Sequence, residues 1–377
     1  MSIKSTNHAA WTIIARCWIL FKVNFFRHIF YLTQRATFVA GLPAMPLVQE
    51  LYAAVLKAGG KPTFSIVSDE LDALVHEQAS DEQLKWLSPL DEKIISEADV
   101  YMVIVAPENI RAMTRIDPAR QQVRQSGRRK WMDTYLARSA SGDLRWVLTN
   151  YPCLSLAQDS GKSLKQYEDF FYAATFIDQP DPVKCWQQVH DDQARLINWL
   201  TGRKQVRIQG VNTDLTLSID GRRFLNSDGD CNMPSGEIFT SPVETSANGW
   251  VRFTYPAIHL GMEVEGVRLE FKDGRVVSAT AEKNQDFLLK MLDMDEGSRF
   301  LGELGIGTNF GIQEFSKDIL FDEKIGGSFH LALGAGFGEA GGKNQSSLHW
   351  DLICDARVDT EMRVDGDLFY QNGKFVV

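Results

Sequence analysis

A chain of 377 residues that is 44% hydrophobic and 24% charged reads as a soluble globular protein, too long for one ordinary core, and predicts two domains. Its net charge of −9 argues against a nucleic-acid partner, because a phosphate surface needs a basic footprint. Cys17, Cys153, Cys185, Cys231 and Cys354 are odd in number, far apart and free of any Cys-x-x-Cys pair, which fits a reducing, cytoplasmic compartment with neither a disulfide framework nor a thiolate zinc site.

The first 49 residues differ from the rest, and residues 1–38 are set apart as a basic, aromatic segment. They hold Lys4, Arg16, Lys22, Arg27 and Arg35, and the first acidic residue is Glu50. Within them the aromatic-rich run from Trp11 to Leu32 is interrupted by Arg16, Lys22 and Arg27, so it does not read as a membrane span. It lacks the apolar core and cleavage site of a secretory signal, and a transit peptide is a weaker reading than a surface helix or strand, or a segment foreign to the folded domain.

From residue 39 to 200 helix and strand patterns alternate. Pro46–Ala58 carries Leu47, Leu51 and Val55 at helical spacing before Gly59-Gly60. Thr63–Val67 reads as a strand, Asp81–Ala98 as one helix, and Val100–Ala106 as a strand buried on both faces. Arg145–Leu148 is a further strand candidate. Ser163 is placed to cap a helix running to Ala174, and Pro182–Leu200 reads as a long helix. This half is predicted to be an α/β domain.

After Gly202 the period changes to two. Val206–Gln209 and Leu215–Ile219 read as strands, and Gly266–Phe271 with Arg275–Ala279 as a hairpin about Asp273-Gly274. Residues 201–377 are predicted to form a β-rich α+β domain, and it contains Glu237, Glu303, Glu323, His330, His349 and Asp351, each near glycine. Four carboxylates and two imidazoles suit two divalent ions of the zinc, cobalt or manganese kind. If Ser347–Asp351 is extended, His349 and Asp351 point to the same side. The stretch Gly336–Gly341 matches a dinucleotide fingerprint by letter only, without the strand before it or the helix after it. No Gly-x-Ser-x-Gly elbow is present.

Four motifs in order resemble the thermophilic metalloaminopeptidase family: Asn232-Met-Pro-Ser-Gly-Glu237, Leu301-Gly-Glu303-Leu-Gly-Ile-Gly-Thr-Asn309, Phe321-Asp-Glu323-Lys-Ile-Gly-Gly-Ser-Phe-His330, and Asn344-x-Ser-x-Leu-His349-Trp-Asp351. The likeness extends from about residue 39 to the C-terminus. It implies an α/β N-terminal domain, a C-terminal metal-binding domain, and a cytosolic homodimer. The implied enzyme removes N-terminal residues from peptides with two divalent ions per subunit (zinc, cobalt, manganese or magnesium). Glu237, Glu303, His330, His349 and Asp351 match metal ligands. Glu323 matches less closely, because its spacing to the histidine differs. Glu303 is the expected bridging carboxylate, holding a hydroxide shared by both ions. Where the family commonly has a tyrosine near the metals, this chain has Phe337, which lacks the hydroxyl that could donate to an oxyanion.

Each residue also has a plainer reading. Glu237 can be a turn carboxylate, Glu303 a salt-bridged structural residue, His330 a satisfied core histidine, and Glu323-Lys324 a solvated pair. His76, His190 and His259 read as structural, and Glu244 and Glu339 as no more than pocket-lining. A rival chemistry takes His330, His349 and Asp351 alone as the two-histidine, one-carboxylate set of a mononuclear iron(II) enzyme, as in ring-cleaving dihydroxypyridine dioxygenases that resemble this family. Glu237 and Glu303 favour two metals, since one iron would leave these carboxylates unpaired.

Overall fold

A computed structural model describes residues 34–377. The run from Trp11 to Leu32 lies outside the described residues. Contacts divide the chain into two compact units, one running to Val183 and including Asp230–Met233, the other comprising Lys184–Gly229 and Pro234–Val377.

The first unit is built on a parallel sheet in the order Lys61–Val67, Arg35–Gly41, Val100–Val105, Arg145–Asn150 and Asn232–Met233. Its first strand starts ahead of residue 39. Arg35 looks like part of the basic segment, yet its backbone N–H donates to Asp99 Oδ2 at 2.7 Å and Phe38 is buried. The single helix expected over Asp81–Ala98 is two, Asp81–Lys85 and Pro89–Glu97. Pro89 cannot continue a helix from its N-terminal side, and the Ser88 hydroxyl accepts from Leu90 N to start a new one. Val100–Val105 buries Met102 and Ile104 and leaves the intervening side chains half-buried, so it alternates where burial on both faces was expected. Ser163 and Gln166 form a capping box at Leu164–Thr175.

Helix Pro182–Leu200 has the bounds expected from its periodicity. It packs with the second unit, however, because Leu196 and Leu200 enter that unit's core. The division therefore falls near residue 183, where the sequence pattern suggests 200. A helical period reports which face is apolar and not which sheet will cover it.

The second unit contains an eight-stranded antiparallel sheet running from Arg275–Thr280 at one edge to Lys374–Phe375 at the other. Its hairpin turn at Asp273-Gly274 takes positive φ at both residues, as a tight two-residue turn requires. A separate five-stranded antiparallel sheet has the order His349–Asp355, Ser328–Gly334, Leu301–Gly307, Glu237–Thr240 and Leu225–Ser227. One face of it sends Ile238, Leu304, Ile306, Phe329, Leu331, Leu333, Trp350 and Leu352 into the core. The other face carries the charged residues. No helix among the described residues is long and apolar enough to cross a membrane.

Candidate metal centre

The register of the five-stranded sheet explains why so many charged groups meet on one face. Glu237 stands opposite Gly307, His330 opposite Gly305, and His349 opposite Gly334, while Ala332 faces Glu303 on one side and Asp351 on the other. Glu237, Glu303, His330, His349 and Asp351 thus each have a glycine or alanine as a cross-strand neighbour on one side, which leaves room above the sheet for carboxylates and imidazoles. Gly305 shows how tight the arrangement is. A Cβ there would lie 2.1 Å from both Cε1 and Nε2 of His330, so the imidazole rests directly on the Gly305 backbone. A β-bulge between Leu301 and Glu303 adjusts the strand just where Glu303 must be aimed.

Glu303 lies between the two histidines. Its Oε1 is 3.5 Å from His330 Nε2 and its Oε2 is 3.4 Å from His349 Nε2. On the outer side of each ring is another carboxylate: Glu237 Oε2 at 3.3 Å from His330 Nε2, and Asp351 Oδ2 at 3.6 Å from His349 Nε2. Two three-residue sets, Glu237–Glu303–His330 and Glu303–His349–Asp351, therefore share Glu303. A third, Glu323–His330–Asp351, reaches in from the end of helix Ile319–Asp322. In each set the donor atoms lie within 4.8 Å of one another. All six residues singled out in the sequence are brought together.

The electrostatics are those of a site short of cations. Burial pushes the Glu237 carboxyl up to about 8 despite the Lys324 ammonium, and pushes Asp351 up to about 6 despite His349. Burial acts on Glu303 in the same direction, but hydrogen bonds from His330 and His349 outweigh it and hold that carboxyl at about 2. Burial disfavours charged imidazoles, yet the facing carboxylates raise His330 and His349 to about 10. Glu237 Oε2 and Asp351 Oδ1 are buried without a hydrogen bond. Buried carboxylate oxygens without a hydrogen bond, beside imidazoles that hold protons only because carboxylates surround them, suit the binding of divalent ions. The donors are all oxygen and nitrogen, which suits zinc, cobalt, manganese or magnesium.

Further groups support this arrangement. His349 Nδ1 lies 3.0 Å from the Ala335 carbonyl, which can only accept; Nδ1 therefore carries the proton and Nε2 faces the carboxylates. Asp295 accepts from Ser298 Oγ, Ser346 Oγ, Gly297 N and Ser347 N, and so pins the residues just before His349. Asn344 Nδ2 donates to the carbonyls of Gly297 and Gly334. Asn309 Nδ2 donates to Ser235 O beside the glycine that precedes Glu237. The asparagines and Ser346 belong to the motifs quoted above, whereas Asp295 lies outside them and carried no local signal.

Lys324 is the main surprise. As half of Glu323-Lys324 it could pass for a solvated residue, but it is fully buried. Its Nζ donates to Glu323 Oε1 and lies 3.6 Å from Glu237 Oε1. Phe337 does lie beside the cluster, its ring 5.2 Å from that of His349 and 5.1 Å from that of Phe239, both edge-on. His259 packs against Trp350, and His190 pairs with Asp228 at 2.5 Å. Glu244 is held by Arg222 and the Lys343 N–H.

Known proteins resemble this chain along most of its length. Aminopeptidase 2 of Geobacillus stearothermophilus is 26% identical, covering 87% of each chain. Aminopeptidase AmpS of Bacillus subtilis is 27% identical over 82% of this chain and 84% of its own. Wild-type AmpT from Thermus thermophilus superimposes with a TM-score of 0.82 at 21% identity, covering 98% of this chain and 99% of its own, a likeness of fold. These relatives support the peptidase chemistry over the ring-cleaving alternative. The family model for thermophilic metalloproteases (M29) matches residues 32–375, so the likeness begins ahead of residue 39. With that match spanning nearly the whole described chain, and with named aminopeptidases among its relatives, the chain belongs to the M29 thermophilic metalloproteases and is a metallo-aminopeptidase.

Proposed function

We propose that the cluster holds two divalent ions that share Glu303 and that the enzyme releases N-terminal residues from peptides. The observation that carries this reading is the position of Glu303, whose two oxygens face different histidines. Glu237, Glu303 and His330 would hold one ion, and Glu303, His349 and Asp351 the other, with Glu323 closing the His330 and Asp351 side. When bound, such ions supply a Lewis acid for the scissile carbonyl and an activated water shared between them. The protein's own contribution is to orient and exclude. His349 is fixed by Ala335, His330 by its seat on Gly305, and burial of Glu237 and Glu303 keeps bulk water away from those two carboxylates. Transfer of a proton to the leaving nitrogen falls to a buried carboxylate, Glu237 or Glu303. A homodimer and a cytoplasmic location follow from the family resemblance and form part of the proposal.

The experiment is direct. Excess chelator is expected to abolish hydrolysis of an aminoacyl-anilide, and added cobalt or zinc to restore it. Hydrolysis undiminished in excess chelator would refute the reading.

Phe337 offers a second test. Phe337 is 37% exposed and its ring lies against that of His349, which puts this position beside the cluster. Phe337→Tyr is expected to raise kcat about tenfold with little change in KM, below the roughly 3 kcal/mol typical of one oxyanion donor. An unchanged or lower kcat, in a variant with parental metal content and Tm, would show that Phe337 only fills space.

A further inference from the structure

Lys324 has a chemical consequence that the ligand set alone does not contain. Taken as ionised, Glu237, Glu303, Glu323 and Asp351 bring four negative charges, and Lys324 returns one positive charge from a position with no solvent exposure. The ammonium is not a surface group that strayed inward. It donates to Glu323 Oε1 and faces Glu237 Oε1 at 3.6 Å, while the other oxygen of Glu237 faces His330. One side of each of these carboxylates is thus taken by a cation that belongs to the chain itself. The backbone holds the lysine firmly: Lys324 O accepts from Asn309 N, Lys324 N donates to Phe321 O, and a Cβ at Gly307 would lie 2.1 Å from the neighbouring Ile325 carbonyl oxygen.

We propose that Lys324 is a built-in cation of the metal centre, a positioning residue that fixes Glu237 and Glu323 and draws off part of their negative charge. The idea rests on the two-metal reading above. Its physical content is a trade between affinity and reactivity. A unit positive charge a few ångströms from the ligands opposes a divalent ion strongly in a buried site, so Lys324 weakens metal binding. The same charge leaves any bound ion less neutralised by its carboxylates, and therefore a stronger Lewis acid toward a peptide carbonyl. Orientation adds to this, since both carboxylates are held by one ammonium.

Lys324→Gln tests it, because an amide can still donate to Glu323 but carries no charge. Cobalt affinity is measured by competition with a chromophoric chelator, and kcat and KM on an aminoacyl-anilide, in the full chain. The expected result is cobalt binding at least about tenfold tighter together with a kcat at least about tenfold lower. A lysine that only supports packing leaves cobalt binding unchanged or weaker whatever happens to kcat, because a damaged site binds metal less well. Cobalt binding that is unchanged or weaker in Lys324→Gln would overturn the proposal. If the variant does not fold without metal, it is expected to refold when cobalt is supplied, the ion taking over the role of the missing charge. Failure to refold with cobalt would make Lys324 a packing residue and also overturn the proposal. Failure of the two-metal reading looks different: the parent protein itself then takes up fewer than two ions.

Discussion

Glu303→Gln is expected to lose at least about a hundredfold in kcat/KM while the fold survives. Removing an outer partner of a metal ligand typically costs about 10- to 100-fold, and Glu303 is proposed to touch both ions. Glutamine keeps the shape, so the core beneath Leu304 and Ile306 is undisturbed. What is lost is the charge that pulls the two imidazoles together, at 3.5 Å and 3.4 Å from its oxygens. Metal content is expected to fall with activity. A variant with near-parental turnover and full metal content would show that the two histidines are bridged some other way.

Gly305→Ala is expected to be almost as damaging, although the residue carries no functional group. The added Cβ would lie 2.1 Å from the His330 ring, which has to move or tilt, and a displacement of about 1 Å in such a site can cost about a hundredfold. Overpacking of this kind typically costs about 1–3 kcal/mol in stability as well. The clash is isolated by a double-mutant cycle. In a His330→Ala background, Gly305→Ala should cost nothing further in stability or metal binding. If it costs as much there as in the parent, the glycine serves the backbone and not the imidazole.

Much of the candidate site was legible because the strands that carry it leave two kinds of trace. One is spacing: His349 and Asp351, two apart in an extended run, had to share a side, and they do. The other is the glycines and the alanine, each now identifiable as the residue across from a charged side chain. Lys324 was not legible, because a Glu-Lys pair has the same letters whether solvated or buried, and burial is decided by strands far away in the chain. Asp295 was hidden for a similar reason: it lies 51 residues from Ser346, whose hydroxyl it accepts. In the first unit, helices with an apolar stripe such as Pro182–Leu200 were visible. Arg129–Ala140, which buries no residue, has no strong stripe to read.

With Glu303 placed between both histidines, the proposed mechanism turns on the number of ions bound. Protein stripped with chelator and then titrated with zinc or cobalt, with bound metal and aminoacyl-anilide hydrolysis followed together, tests it most directly. Activity is expected to rise until two ions are bound per chain and then to level off. Full activity at one ion per chain, or hydrolysis that does not follow bound metal, would contradict it.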